Sequence, residues 1–252
     1  MVDGFAKRKA LRDMNKDISK LVWLILPIAV GVMPYAARFV GEHTDSLMYG
    51  EAGLIENLTV IFLFVAIVSA VLFLMSNQTK FKFLSVWMGI FLLGAIYYAG
   101  EELSWGQHLF GWSTPEQWTE INDQQETNLH NTSAFFDQIP RTLLSLGAIV
   151  GGVLIPLYRK FTQHVRDENS LVDWILPTFV CLPSGLLTQL VSWQEIYEVL
   201  GTDIPVALDI SAGETKECML ALFLMMYALS IWYRNRLVVK TSGEALATNQ
   251  PS

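Results

Sequence analysis

The chain has 252 residues, 52% of them hydrophobic and 16% charged, with a formal net charge of −7 and a mean hydropathy of +0.36. Soluble domains carry about 25% charged residues, so this composition sets the chain apart from soluble globular proteins. No basic patch is interleaved with aromatics, which excludes a nucleic-acid-binding class.

In chain order, residues 1–20 are polar and basic, with Lys7, Arg8, Lys9, Arg12, Lys16 and Lys20. They read as a cytoplasmic or interfacial helix feeding an uncleaved first span, because no small-residue cleavage site follows the apolar run. Uncharged runs then occupy 21–37, 57–79, 83–100, 142–158, 174–194 and 218–233. At 1.5 Å per residue, a helix of ~17–20 residues nearly crosses a hydrocarbon core about 30 Å thick. The expected fold is all-α: a polytopic membrane protein whose bundle of about six transmembrane helices fills 21–236, followed by a flexible tail at 237–252.

Charge sets the expected orientation. If the spans alternate, only Arg38, Arg141 and Lys216 fall on the side away from the N-terminus, while most of the acids fall there. The positive-inside rule then puts both termini in the cytoplasm and the acidic face outside. In a Gram-negative host this is the bacterial inner membrane, with the loop 101–141 structured on the periplasmic side. Pro27, Pro34, Pro177 and Pro183 are expected to kink the first and fifth spans, and Pro156 to end the fourth. Gly89, Gly94, Ala95, Gly151 and Gly152 suit close helix contact. Cys181 and Cys218 sit in separate apolar runs at different depths, which argues against a disulfide.

The stretch 100–131, GEELSWGQHLFGWSTPEQWTEINDQQETNLHN, concentrates the groups able to do chemistry. If the third span continues as a helix, Glu101, Ser104 or Trp105, and His108 share a face. Thr114-Pro115-Glu116-Gln117 predicts a capping box opening a short helix to about Ile121, with Trp118 at the lipid interface. Asp123, Glu126 and His130 fall on one further helical face. Glu-x-x-x-His is metal-ligand spacing, and such ligands suit zinc, iron or manganese. Glu51 and Glu56 open the second span and Glu214 and Glu217 the sixth, so acids from three span ends meet at one depth, with Arg38 and Arg141 available to pair. Acids at helix N-termini complement the dipole, whereas Glu101 and Glu102 at a C-terminus oppose it and need another reason to be there. The candidate divalent-metal ligands are Glu102, Glu126, His130, Glu214 and Glu217. The candidate catalytic groups are Glu101, Glu102, Ser104 and His130. His43, His164, Glu195 and Glu198 read as surface residues, and the Trp residues as interface anchors.

G-E-E-L-S-W-G-Q followed by E-T-N-L-H-N resembles a family of uncharacterised bacterial polytopic membrane proteins that carry G-E-E-[IL]-S-W-G-Q and E-T-N-L-H-N. The resemblance covers about residues 100–131 and implies a site at Glu101, Glu102, Ser104, Gln107, Asn122, Glu126, Asn128, His130 and Asn131. It names no reaction. Arg at the position of His108 in that family turns weight away from His108. A thinner similarity to ceramidase-like membrane hydrolases lacks their His-rich closing motif, since the sixth span has no His.

Three functional readings follow. The first is a metal-dependent, hydrolase-like membrane enzyme acting at the outer leaflet on a lipid or lipid-linked substrate, its metal-bound water serving as nucleophile. The second is a structural or accessory subunit whose outer loop docks a membrane-protein partner or a second copy of the chain. The third is an ion or proton pathway, against which stands the lack of ionisable groups in the middle of the spans.

Overall fold

The structure is a computed structural model and describes residues 17–41, 44, 47–50, 53–76, 81–122, 126–202, 204–205 and 208–248. The expectations for 1–16, His43, Glu51, Asp123 and 249–252 lie outside these residues, as do those for the side chains of His108, Glu195 and Glu198. Among the described residues every regular element is helical. Six helices are long and apolar enough to cross a membrane: α1 (Leu21–Val40), α2 (Leu54–Ser76), α3 (Lys82–Glu102), α4 (Gln138–Phe161), α5 (Leu171–Val191) and α6 (Ala212–Lys240). Each overlaps one of the uncharged runs. Side-chain contacts gather the end of α1, the end of α3 and the starts of α4 and α6 at one end of the bundle: Arg38 reaches Asp209 at 3.9 Å, Arg141 pairs with Glu217, and Tyr98 Oη donates to Glu217 O at 3.2 Å. This is the motif end of the bundle, and the opposite one is the basic end.

The helix of α6 is the hub. Of its span, 78% is buried within the protein, against 17% for α3 and for α4. It contributes Met219, Leu222, Met226 and Ile231 to the core, and α2 contributes Ile55, Leu63, Ala66 and Ala70, all fully buried. The outer helices turn Phe64, Ile90, Leu93 and Leu143 outward, as helices bounded by hydrocarbon do. Lipid offers no hydrophobic drive to helix pairing, so close backbone approach matters more. Gly152 on α4 and Gly185 on α5 supply it: a Cβ added to Gly185 would lie 2.9 Å from the Gly152 Cα. Gly89 and Gly94 do not play this part. A Cβ on either meets nothing within 4 Å, because both lie on the open side of α3.

Proline shapes the spans as expected in α5 but not in α4. Pro156 does not end its helix, which continues to Phe161. The preceding turn, Ala148–Leu154, is π-helical, with Ile155 N bonded to Val150 O, and this wider winding relieves the ring's clash with the previous turn. In α5, helix Leu171–Ile175 stops before Pro177, and a second helix begins at Leu182. Bare carbonyls are costly inside a membrane, and α6 covers them. Arg234, 0% exposed, donates through Nη1 to Asp173 O (3.1 Å) and through Nη2 to Trp174 O (3.2 Å), while Tyr227 Oη donates to Ile175 O (2.8 Å).

Two carboxylates then tie the basic end together. Asp17 Oδ2 accepts from Thr178 Oγ1 (2.7 Å) and Ser230 Oγ (2.9 Å), joining the start of α1 to α5 and α6. Asp173 accepts from Arg159 Nη2 (2.6 Å) and the Asp167 backbone N–H (3.0 Å), and lies 2.8 Å from His164 Nε2. His164 lies at the surface, as expected, with its side chain 40% exposed, and is tied to Asp173 there. Cys181 and Cys218 are buried and free. The last helix runs on to Thr248, through much of the stretch expected to be a tail.

Candidate functional site

The motif opens by breaking α3. The helix ends at Glu102 with Leu103 N on Ala99 O, and the chain then enters the left-handed region at Ser104 (φ 44°), Trp105 (φ 55°) and Gly106 (φ 97°). Two successive side-chain-bearing residues in that region cost on the order of 1–2 kcal/mol each. Side-chain bonds hold them there. Ser104, buried, donates to Glu126 Oε2 at 2.7 Å, and Trp105 Nε1 donates to Glu101 Oε1 at 2.8 Å. The Trp105 ring folds back over Gly100, where a Cβ would come within 2.8 Å of it. The order Gly-Glu-x-x-Ser-Trp-Gly is thus explained locally: a bare position beneath the indole, an acceptor for its N–H, and a glycine to leave the turn. The continuous helical face expected through Glu101, Ser104 and His108 does not form, because this left-handed turn interrupts the 3.6-residue period.

The second half of the motif is irregular and closes on the first. Asn128 Nδ2 donates to Glu126 Oε2 (2.6 Å) and Ser104 Oγ (3.0 Å). Asn122 Oδ1 accepts from Glu126 N (3.0 Å), and Asn122 Nδ2 donates to Asn128 Oδ1 (2.8 Å). Gln107 Oε1 accepts from Thr127 N (2.8 Å). Glu101 Oε2 accepts from the backbone N–H groups of Leu129 (2.7 Å) and His130 (2.9 Å), with His130 Nδ1 at 3.3 Å. Hydrogen bonds to a charged acceptor are worth about 1.5–3 kcal/mol each, enough to fix a loop with little apolar core. Glu126 and His130 do not form the expected helical pair one turn apart. The segment is not a helix at Glu126, and the two side chains bond to different partners. The short helix appears at Glu116–Thr119 with Pro115, not Thr114, at its N-cap. Thr114 Oγ1 is engaged by Gln107 Nε2 at 2.6 Å, so the capping box is not made.

Behind this loop lies a cavity of about 380 Å³ between α3, α4 and α6. Its walls are Phe91, Gly94, Tyr97, Leu143, Leu144, Leu220 and Leu224, and its end near the motif is Glu101, Glu102, His130, Arg141 and Glu217. Leu143 and Phe136 are also exposed on the bundle surface, so the cavity reaches the face that hydrocarbon would cover. Glu217 and Arg141 form an ion pair. Glu102 accepts no hydrogen bond among the described residues, although Glu217, Glu56, Glu214 and Arg141 are all within electrostatic reach.

Four of the sequence-derived candidates, Glu101, Glu102, His130 and Glu217, therefore share one cavity. Ser104 and Glu126 are bonded to each other outside its lining. Glu214 faces elsewhere, accepting from Ser211 Oγ (3.1 Å) and Gly50 N (3.4 Å). Among the described residues, no group of three or more His, Cys, Asp or Glu is placed to hold a metal ion. Of the expected metal ligands, Glu102, His130 and Glu217 line the one cavity. Tyr98 and the apolar cavity walls escaped sequence reasoning, since uncharged span residues look alike until helices are placed beside one another. Comparison of the chain with protein families, curated proteins and solved structures finds no match in any of the three.

Proposed function

We propose that the protein is an integral membrane enzyme of hydrolase-like chemistry, taking a lipid or lipid-linked amphiphile sideways from the outer leaflet. The observation that carries this reading is a cavity with apolar walls, reaching the lipid-facing surface and ending in three carboxylates, an arginine and a histidine. An acyl or prenyl chain would lie along Phe91, Leu143 and Leu224, with the polar group against Glu102, Arg141 and Glu217. Arg141 supplies the cation for a phosphoryl or carboxyl oxygen. Glu102 has no hydrogen-bonded partner among the described residues, which suits a general acid or base, and His130 shares the cavity lining with it. A divalent zinc, iron or manganese ion, if one is taken up, would be held from Glu102 and Glu217. The segregation of Lys and Arg toward the basic end supports placing the motif end outside a bacterial inner membrane, both termini being cytoplasmic.

The test is lipidomics on the purified protein beside its Gly94→Phe variant, with metal content measured on the same samples. Gly94 lines the cavity and has open space around it, so Phe fills the cavity without disturbing helix packing. The expected result is a stoichiometric amphiphile on the wild type that Gly94→Phe loses. An amphiphile retained equally by both folded proteins, or absent from the wild type, removes the reading.

A second reading has one observation in its favour. Phe110 and Trp112 stack with centroids 5.8 Å apart on the surface of the motif loop, 78% and 42% exposed. An accessory subunit docking a membrane partner would present such a pair. It predicts that Phe110→Ser releases a co-purifying protein and leaves the cavity amphiphile in place.

A further inference from the structure

The basic end carries donors in excess of its acceptors. Asp17 and Asp173 are filled by the partners described above. Arg234 spends Nε on Ser230 O (3.2 Å) and its other nitrogens on α5 carbonyls. Two guanidiniums remain under-used. Arg159 bonds Asp173 through Nη2 alone, and its Nη1 is buried without an acceptor. Arg166 makes no hydrogen bond among the described residues. Its Nη1 is buried without one and stands 3.7 Å from Asp17 Oδ2, an ion pair too long for hydrogen bonding. These residues come from different elements, Arg159 from the last turn of α4 and Arg166 from the α4–α5 connection, and each is within electrostatic reach of the other. His164 joins them through Asp173. Arg159 and Arg166 thus each meet a single carboxylate whose acceptor capacity is already used by other donors, and burial also draws the Arg166 pKa below its ordinary value.

The geometry points to an anion site at the basic end, in which Arg159 and Arg166 hold a phosphate group. A tetrahedral phosphate offers several strong acceptors to guanidinium forks approaching from two sides, which a single carboxylate does not. Basic pockets between span ends are where phospholipid headgroups are held. Tyr158, Phe161 and Val165 stand exposed around this corner, at the level where acyl chains meet headgroups. The site is independent of the cavity at the motif end, and its loss leaves the proposed chemistry there untouched.

The phosphate can belong to a lipid or be free, and two arms separate the sources. Delipidated protein in neutral detergent is titrated with sodium phosphate against sodium chloride at equal ionic strength, and separately with phosphatidylglycerol against phosphatidylcholine. Native mass spectrometry reads retained lipid, and the thermal midpoint reads both arms. The expected result is saturable stabilisation by phosphatidylglycerol over phosphatidylcholine, weakened about tenfold in Arg166→Gln and less in Arg166→Lys, which keeps the charge but not the fork. Stabilisation by inorganic phosphate alone, lost in the same order, supports the site and assigns it to a soluble phosphate. Wild-type protein that responds to neither probe overturns the proposal. So does a folded Arg166→Gln that binds as tightly as the wild type. Should Arg166→Gln fail to fold, Arg166→Lys binding with wild-type affinity overturns it equally.

Discussion

The two ends of the bundle use carboxylates in opposite ways. At the motif end Glu101 and Glu126 fasten a loop to itself, over separations of 22 to 29 residues. At the basic end Asp17 and Asp173 fasten helices to one another, Asp17 reaching partners 161 and 213 residues away. What is left over also differs in sign. Among the described residues, the motif end leaves an acceptor, Glu102, without a donor, and the basic end leaves guanidinium nitrogens without an acceptor. Structural charges are those whose hydrogen-bonding capacity is used up, so the unspent groups are where ligand chemistry should be sought.

That contrast can be broken by substitution. The largest effect is expected from Asp173→Ala, which strands the buried guanidinium of Arg159. Removing one partner of a buried pair costs about 3–5 kcal/mol, read as a lower unfolding midpoint for the whole protein in detergent. Glu126→Ala should cost about 1–3 kcal/mol by leaving Ser104 and Asn128 unsatisfied, but its damage should stay local. Hydrogen exchange is expected to rise across 104–131 and not in α6; a global loss would show that the loop is part of the bundle's stability. Gly100→Ala should cost about 1–3 kcal/mol by pushing the Trp105 ring away, visible as a changed indole environment. Smallest in stability is Glu102→Gln, expected within about 0.5 kcal/mol of wild type. The same change should lower turnover of the cavity amphiphile by ~100-fold or more, the range for a lost general acid or base. A Glu102→Gln protein with full turnover would return Glu102 to an unexplained charge.

The spans were legible because crossing a membrane is a one-dimensional property of composition, and each uncharged run overlaps one helix of the bundle. The site was legible as a neighbourhood and not as an arrangement. Helical spacing put Glu101 with His108 and Glu126 with His130. Two left-handed residues, Ser104 and Trp105, remove the helix on which the first spacing depends, and the chain is not helical at Glu126, which removes the second. The mismatch of Glu101 with the helix dipole was a real signal, and it is met by three donors from residues 105, 129 and 130. The basic cluster was invisible. Asp17 looks like part of a charged arm and Arg234 like the polar edge of a span, and only packing brings them to α5.

Arg234 has a consequence for how the protein is made. It lies in α6, the last of the six spans to leave the ribosome, together with Glu214, Lys216 and Glu217. Charged side chains toward both ends of a span make its insertion as a lone helix costly unless they are paired or reach water, so α6 is a poorer membrane segment by itself than within the bundle. The carbonyls of residues 173–175 wait for it inside a bundle that is incomplete until it arrives. Insertion of α6 and completion of α5 are therefore one event, and a chain stopped before Ala212 should be handled by membrane quality control as an unfinished protein, not as a five-span variant.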